Sequence, residues 1–211
     1  LGLGGIDTLG QLANVKGVVV EAVPRAGSAV LNADDPLVYR MGRHCAGRVV
    51  LFSMAKQKGE EGFDRVDGHT SRGNAAFCLE DTPQGELIVL RHGPRKMPVL
   101  YTHLIPATFG GRARMNIANA LAAAAAAWAL GAHIHDIRQG LRTFSTSFFQ
   151  APGRLNLLDV GGVRVVIDYC HNVDGMRQLA DFVNRMMVEP QTRAGVLRTP
   201  AAPPRTGRAI A

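Results

Sequence analysis

The sequence predicts an α/β protein made of most of one sheet domain and the beginning of a second α/β domain. Short apolar runs alternate with helical segments in the first half of the chain. Six consecutive alanines at positions 122–127 indicate a long helix, and two apolar runs flank a Gly161-Gly162 turn. Alternating strands and helices favour a sheet covered by helices, and Gly-Gly between apolar runs is typical of a β-hairpin.

The first half of the chain follows from apolar spacing and turn residues. Asp7 or Thr8 can cap the first helix. Pro36 suits the first turn of the second helix, and it also holds the preceding Asp35 extended. The expected elements are a helix over 6–23, a strand over 28–32, a helix from Pro36 to about Gly47, a strand over 48–53 and a polar, Gly-rich loop over 54–74.

The second half adds antiparallel strands and three helices. Turn signals at positions 83–85 and 92–94 separate three strands, and Gly131 is a natural stop for the Ala-rich helix. The expected elements are strands around 75–79, 86–91 and 97–104, a helix from Arg114 or Asn116 to Leu130, a helix over 133–143, a linker over 144–152, a hairpin over 154–168 and a helix over about 173–187.

Composition excludes several classes of protein. The formal net charge is +7 with twenty arginines, but the basic residues are scattered without aromatic interleaving, so we expect no nucleic-acid partner. Three cysteines without a CxxC pair indicate reduced thiols in a cytoplasmic protein. No apolar run reaches the length of a membrane span, and we expect no membrane partner and assign no metal-binding residue.

Chemistry-bearing side chains are concentrated where the second hairpin strand ends. Asp168, Tyr169, Cys170, His171 and Asn172 follow that strand and precede a helix. Open α/β sheets place ligands at the carboxyl ends of strands, so this segment is a candidate site. The alternative is a solvated loop in which Asn172 or the later Asp174 caps the helix.

Four segments in one order resemble the Mur ligase family, and within it the Mur-ligase-like half of the cyanophycin synthetases. They are LGLGGIDTLGQLANVKGVVVEAV, AVLNADDPLV, IPATFGGRARMNIANALAAAAAAWALG and APGRLNLLDVGGVRVVIDYCHNVDGM, which together span about residues 1–187. The resemblance implies that residues 1–149 are the later part of a central ATP-binding domain. Residues 150–190 would begin a Rossmann-like C-terminal domain, and residues 191–211 would be an aberrant, disordered tail.

The reaction implied by the resemblance is ATP-dependent amide formation with Mg²⁺. ATP phosphorylates a carboxylate, and an amine attacks the acyl phosphate. In the cyanophycin synthetases the amine is arginine and the carboxylate belongs to an aspartate polymer, and the full-length enzyme would be a homo-oligomer. A phosphate loop of the form GxxxxGK[ST] is absent from this sequence, so we expect a fragment that is inactive alone. The alternatives are another Mur-type ligase, for peptidoglycan precursors or folylpolyglutamate, and a non-catalytic nucleotide-binding remnant.

The resemblance also assigns cofactor-binding residues. Asn116 and Asn119 lie three apart on one helix face and would contact adenine, although Asn116 could instead cap the helix. Arg154 and Asp168 would close over the nucleotide, with Arg154 balancing phosphate charge and Asp168 accepting from ribose hydroxyls. The alternative for Arg154 is a salt bridge at the hairpin base. Many family members have a histidine where this sequence has Met115.

Two further residues join Arg154 as catalytic candidates. His171 is expected to face the cleft between the domains. Lys16 occupies the position of a lysine that many Mur ligases carbamylate and use beside a second magnesium. For Lys16 the alternative is an exposed helix lysine without a catalytic role.

Overall fold

Six α-helices and seven β-strands form the part of the chain that the computed structural model describes, which is residue 2 and residues 4–188. The helices are α1 (Leu9–Glu21), α2 (Pro36–Met41), α3 (Glu61–Thr70), α4 (Arg114–Ala129), α5 (Ile134–Thr143) and α6 (Val173–Val188). The strands are β1 (Ser28–Asn32), β2 (Arg48–Phe52), β3 (Ala75–Thr82), β4 (Gly85–His92), β5 (Arg95–Tyr101), β6 (Asn156–Val160) and β7 (Val163–Ile167).

The first five strands form one sheet in the order β1-β2-β3-β4-β5. β1, β2 and β3 are parallel and are joined through α2 and α3, whereas β4 and β5 are added antiparallel. The antiparallel addition predicted for the three strands between residues 75 and 104 is confirmed for β4 and β5, whereas β3 is antiparallel to β4 but parallel to β2. Parallel strands need helical crossovers, and this is why the first half of the sequence alternates between strand and helix.

α4 packs against one face of this sheet because its alanines allow close approach. Ile117 and Leu121 are fully buried, and three small residues of the same helix, Ala120, Ala124 and Ala125, are buried with them. Their partners include Phe77, whose ring makes an edge contact with Trp128 at a centroid distance of 6.5 Å. The helix thus holds its own first turn in a fixed relation to β1, β2 and β3.

The prediction of a loop over residues 54–74 is wrong, because α3 occupies part of it. The buried residues of α3 are Gly62, Val66, His69 and Thr70, which recur at helical spacing. Two glycines and a polar composition hide this pattern in the sequence. Gly62 is required by packing, since a Cβ there would collide with the Asp34 carboxylate.

Two predicted boundaries are also wrong. α2 ends at Met41 and continues only as a 3₁₀ turn to His44, so the helix does not reach Gly47. β5 ends at Tyr101 and not at Leu104, because the chain turns there into a second 3₁₀ segment.

Contact density divides the chain into two compact units between Asp168 and Tyr169. The antiparallel β6–β7 hairpin belongs to the first unit. In the second unit, Asn172 accepts a hydrogen bond from the Gly175 N–H at 2.8 Å and caps α6, as the alternative interpretation of this loop expects. The family-based domain boundary at residue 150 stays a prediction, and the predicted tail at 191–211 lies outside the described residues.

Within the described part of the chain, no helix is both long and apolar enough to cross a membrane.

Candidate functional site

A tightly bonded loop leads into α4. Thr108 is fully buried, and its hydroxyl donates to the carbonyl oxygens of Thr102 and Ile105 at 2.6 and 2.8 Å and accepts from the Gly111 N–H at 3.1 Å. The next residue, Phe109, has φ 52°, a left-handed conformation that is costly for a residue with a side chain. The loop therefore enters α4 in one defined geometry.

The first turn of α4 brings Asn116 and Asn119 together. The Asn116 amide donates to the Ala107 carbonyl at 2.6 Å, and the Asn119 amide lies 3.4 Å from the Asn116 side-chain oxygen. The helix N-cap is Ala113, so the alternative that Asn116 caps α4 is wrong. Asn116 is partly buried and Asn119 is exposed, which leaves Asn119 with both a donor and an acceptor toward solvent.

An ion network joins this turn to the sheet. Arg114 makes two parallel hydrogen bonds to Glu86, at 2.8 and 3.0 Å, and the Lys56 amine lies 3.2 Å from Glu86 and 2.7 Å from Asp81. Burial raises the pKa of Glu86, but Arg114 and then Lys56 outweigh it and hold that pKa below its ordinary value. Glu86 is therefore an anion at neutral pH, and in this network Glu86 and Asp81 balance the charges of Arg114 and Lys56.

The base of the β6–β7 hairpin forms a second group of predicted residues. Asp168 accepts a hydrogen bond from the Leu155 N–H at 2.9 Å, which fixes its carboxylate beside the backbone of Arg154. Leu155 is buried and has φ 49°. Among the described residues, Phe109 and Leu155 are the two non-glycine residues with positive φ; Phe109 lies in the loop before α4, and Leu155 directly follows Arg154.

Asn156 ties the base of the hairpin to the preceding loop through side-chain hydrogen bonds. Its buried side-chain amide donates to the carbonyls of Thr146 and Ala151 at 2.7 and 2.9 Å, and its oxygen accepts from Gly153 at 2.7 Å. Arg154 is exposed, and its backbone N–H donates to the Ala151 carbonyl at 3.1 Å.

The two remaining predicted residues are exposed. Lys16 lies on α1, within the first unit. His171 lies in the second unit, where its Nδ1 is 3.1 Å from the Tyr169 carbonyl and its ring is 5.6 Å from that of Tyr169. The structure thus pairs Asn116 with Asn119 and brings Asp168 to the residue after Arg154, while these contacts include neither Lys16 nor His171.

These side chains suit a nucleotide better than a metal. Side-chain amides both donate and accept, as a purine edge requires, and a guanidinium with a carboxylate suits phosphate and ribose. In the described part of the chain, no cluster of three or more His, Cys, Asp or Glu residues could hold a metal ion.

Sequence reasoning missed the supports of the first group. Glu86, Lys56 and the Ala107 carbonyl are distant in sequence from Asn116, and no motif marks them. The Thr-Phe-Gly-Gly turn at 108–111 was a usable signal, because successive glycines before a helix indicate a left-handed entry.

No family model matches the chain, but curated proteins do. The chain is 43% identical over 183 residues to a cyanophycin synthetase of Crocosphaera subtropica and 44% identical over 183 residues to one of Synechocystis sp.. Each match covers 87% of this chain and 20% of the relative. A further relative is the UDP-N-acetylmuramoyl-tripeptide–D-alanyl-D-alanine ligase of Escherichia coli, 26% identical over 172 residues, with 82% of this chain and 33% of that protein covered.

The chain thus spans about one fifth of the length of the cyanophycin synthetases that it matches. The matches at 40–44% identity run through the segments that carry both groups of residues, and the Mur ligase matches extend the same relationship at lower identity. The chain belongs to the cyanophycin synthetase and Mur ligase family.

Proposed function

We propose that this chain supplies the adenine-binding part of an ATP-dependent amide ligase that adds arginine to the β-carboxyl of aspartate in a growing polymer. The observation that carries the proposal is the backbone hydrogen bonding of Asn116 and Asp168 in chain segments that include the positive-φ residues Phe109 and Leu155. Strained backbone next to polar side chains is typical of functional sites, because packing must hold it in place.

In this proposal each residue has a distinct role. Asn119 presents its exposed amide to the adenine edge, and Asn116 orients it through their side-chain hydrogen bond. Arg154 balances the charge of the phosphates, and Asp168 accepts from the ribose hydroxyls through the oxygen that is not bonded to Leu155. ATP supplies the phosphoryl group that activates the carboxylate.

Three other elements of the proposal rest on the family relationship alone. They are the catalytic roles of His171 and Lys16, the requirement for Mg²⁺, and assembly of the full-length enzyme as a homo-oligomer.

A second candidate keeps the reaction and changes the substrates. The matches to peptidoglycan-precursor ligases of Escherichia coli and Gloeobacter violaceus, at 26% and 29% identity, favour a Mur-type amino-acid ligase with a different amine. The higher identity to cyanophycin synthetases makes arginine the first amine to test.

Nucleotide binding tests the proposal on the chain itself. A fluorescent ATP analogue should bind the 211-residue chain. Asn119→Ala and Arg154→Ala should each weaken binding by about tenfold, the effect of losing one hydrogen bond to a ligand. Asn14→Ala is the matched control, because Asn14 is an exposed helix asparagine on α1 and should leave the dissociation constant unchanged.

Turnover is a separate test. The sequence has no GxxxxGK[ST] loop to cradle the triphosphate, so the chain alone should release no ADP when given ATP, Mg²⁺, arginine and an aspartate-polymer primer. Binding of the analogue without turnover supports the proposal. ADP release that depends on arginine, or affinity that Asn119→Ala and Arg154→Ala leave unchanged, contradicts it.

A further inference from the structure

We propose that Glu86 is a positioning residue, which fixes the first turn of α4 so that Asn116 and Asn119 face the nucleotide. This inference rests on the proposed function, since it concerns the same site. It adds a residue that neither the sequence motifs nor the family resemblance marks.

Glu86 lies at the edge of the sheet where the parallel strands end. Glu86 lies at the start of β4, directly opposite Asp81 near the end of β3. Lys56 lies just beyond the end of β2 and reaches both carboxylates. The network therefore lies at the carboxyl edge of the parallel strands, the edge at which open α/β sheets bind ligands.

Glu86 and Arg114 are joined by two hydrogen bonds. Two parallel hydrogen bonds fix the direction of the guanidinium as well as its distance, unlike a single ion pair. Arg114 is the first residue of α4, and Asn116 follows two residues later. The turn is thus held from two sides, by Glu86 through Arg114 and by the Ala107 carbonyl through Asn116.

The Glu86 side chain is largely buried. The Glu86 side chain is only 12% exposed, so its contacts are little weakened by solvent. A neutral side chain at this position would leave Arg114 and Lys56 facing each other without the anion between them. The turn would then rotate away from the sheet, which moves both asparagines.

A second pair in the same sheet provides the matched control. Arg91 of β4 contacts Asp67 of α3 at 2.7 Å, so it also joins β4 to a helix through an arginine and a carboxylate. The Arg91–Asp67 pair joins α3, which carries none of the residues predicted to contact the nucleotide. Glu86→Gln and Asp67→Asn therefore make the same chemical change at two helices.

Amide hydrogen exchange on the nucleotide-free chain tests positioning without reference to binding. Glu86→Gln should speed exchange at residues 116–120 by about tenfold, the loss of one charge-assisted bond, and should shift the side-chain amide resonances of Asn116 and Asn119. Asp67→Asn should leave both within about twofold of the unmodified chain. Arg114→Lys keeps the charge and loses the double hydrogen bond, so it should show the same local effect if Glu86→Gln does not fold.

Binding of the fluorescent ATP analogue is the second readout. Glu86→Gln should weaken it by about tenfold, and Asp67→Asn should not. Equal exchange at residues 116–120 in the Glu86→Gln and Asp67→Asn chains overturns the positioning role, whatever the affinity. The two proposals can fail separately. If Glu86→Gln speeds exchange at residues 116–120 but the unmodified chain does not bind the analogue, Glu86 still supports the turn and the proposed function is overturned.

Discussion

The start of α4 and the β6–β7 hairpin carry the two predicted groups of site residues, but they are held in different ways. The start of α4 is fixed by a buried threonine, an ion network and a helix packed on a five-stranded sheet. The hairpin is a two-stranded sheet in which most strand residues are exposed, and its order comes from Leu155 and Asn156 at its base. The comparison indicates two kinds of support. The start of α4 is a platform held by packing on the sheet, and the β6–β7 hairpin is an arm held mainly at its base.

The largest expected difference between the two regions is in core stability. Phe77→Ala, at a fully buried position in β3, should lower the free energy of unfolding by about 3–5 kcal/mol because it leaves a cavity under Trp128. Val163→Ala in β7 should change it by less than about 0.5 kcal/mol, since Val163 is 64% exposed. Urea unfolding of both variants measures this, and similar losses would contradict the comparison.

Thiol reactivity should separate the regions next. Burial raises the pKa of Cys78 in β3 to about 11, whereas Cys170, three residues after the end of β7 in the sequence, is partly exposed. Near pH 8 the thiolate fraction of Cys78 is then about 100-fold below that of an ordinary thiol, and burial also blocks the reagent. Labelling followed by mass spectrometry should show Cys170 modified first, with Cys78 modified only on unfolding.

The base of the hairpin can be weakened selectively. Asn156→Ala removes the side-chain hydrogen bonds to Gly153, Thr146, Ala151 and Arg154 and leaves the buried Thr146 carbonyl without that donor, which should cost about 1–3 kcal/mol. Exchange should rise in residues 153–168 and stay unchanged in α4. Asn184→Ala, at an exposed position on α6, is the control; exchange that rises equally in α4 would show that the arm is not locally anchored.

The smallest expected effect is a pH dependence in the sheet domain. Burial lowers the pKa of His69 below 6.5, and the hydrogen bond to the Val49 carbonyl only partly opposes this. The unfolded chain therefore binds the proton more readily, so this contribution to stability is complete above pH 6.5 and falls as the pH drops toward the lowered folded pKa. Urea unfolding between pH 5 and 7.5 should show this slope, and His69→Gln should flatten it. A slope that His69→Gln leaves intact belongs to other groups.

Sequence reasoning predicted the parts of the fold that are written in local patterns. The first two strands, the Ala-rich helix and the Gly161-Gly162 hairpin follow from apolar spacing, propensity or turn chemistry, and the Asn172 cap follows from the alternative interpretation of its loop. α3 was missed because its buried face includes Gly62, whose presence is explained by the Asp34 carboxylate, a contact across 28 residues that composition does not reveal.

The candidate site divides in the same way. Asn116 and Asn119 are three residues apart, so their shared helix face could be predicted, and the resemblance marked Arg154 and Asp168. Glu86 and Lys56 could not be predicted, because they meet Arg114 only through the register of β3 and β4.

The most direct test of the central claim is a nuclear magnetic resonance titration of the isotope-labelled 211-residue chain with ATP. The claim predicts that the side-chain amides of Asn116 and Asn119, the Arg154 guanidinium and the Asp168 carboxylate shift together and saturate along one binding curve. Saturation that shifts the two asparagines and leaves Arg154 and Asp168 unmoved would contradict a nucleotide shared by platform and arm. Shifts confined to other parts of the chain would contradict the site altogether.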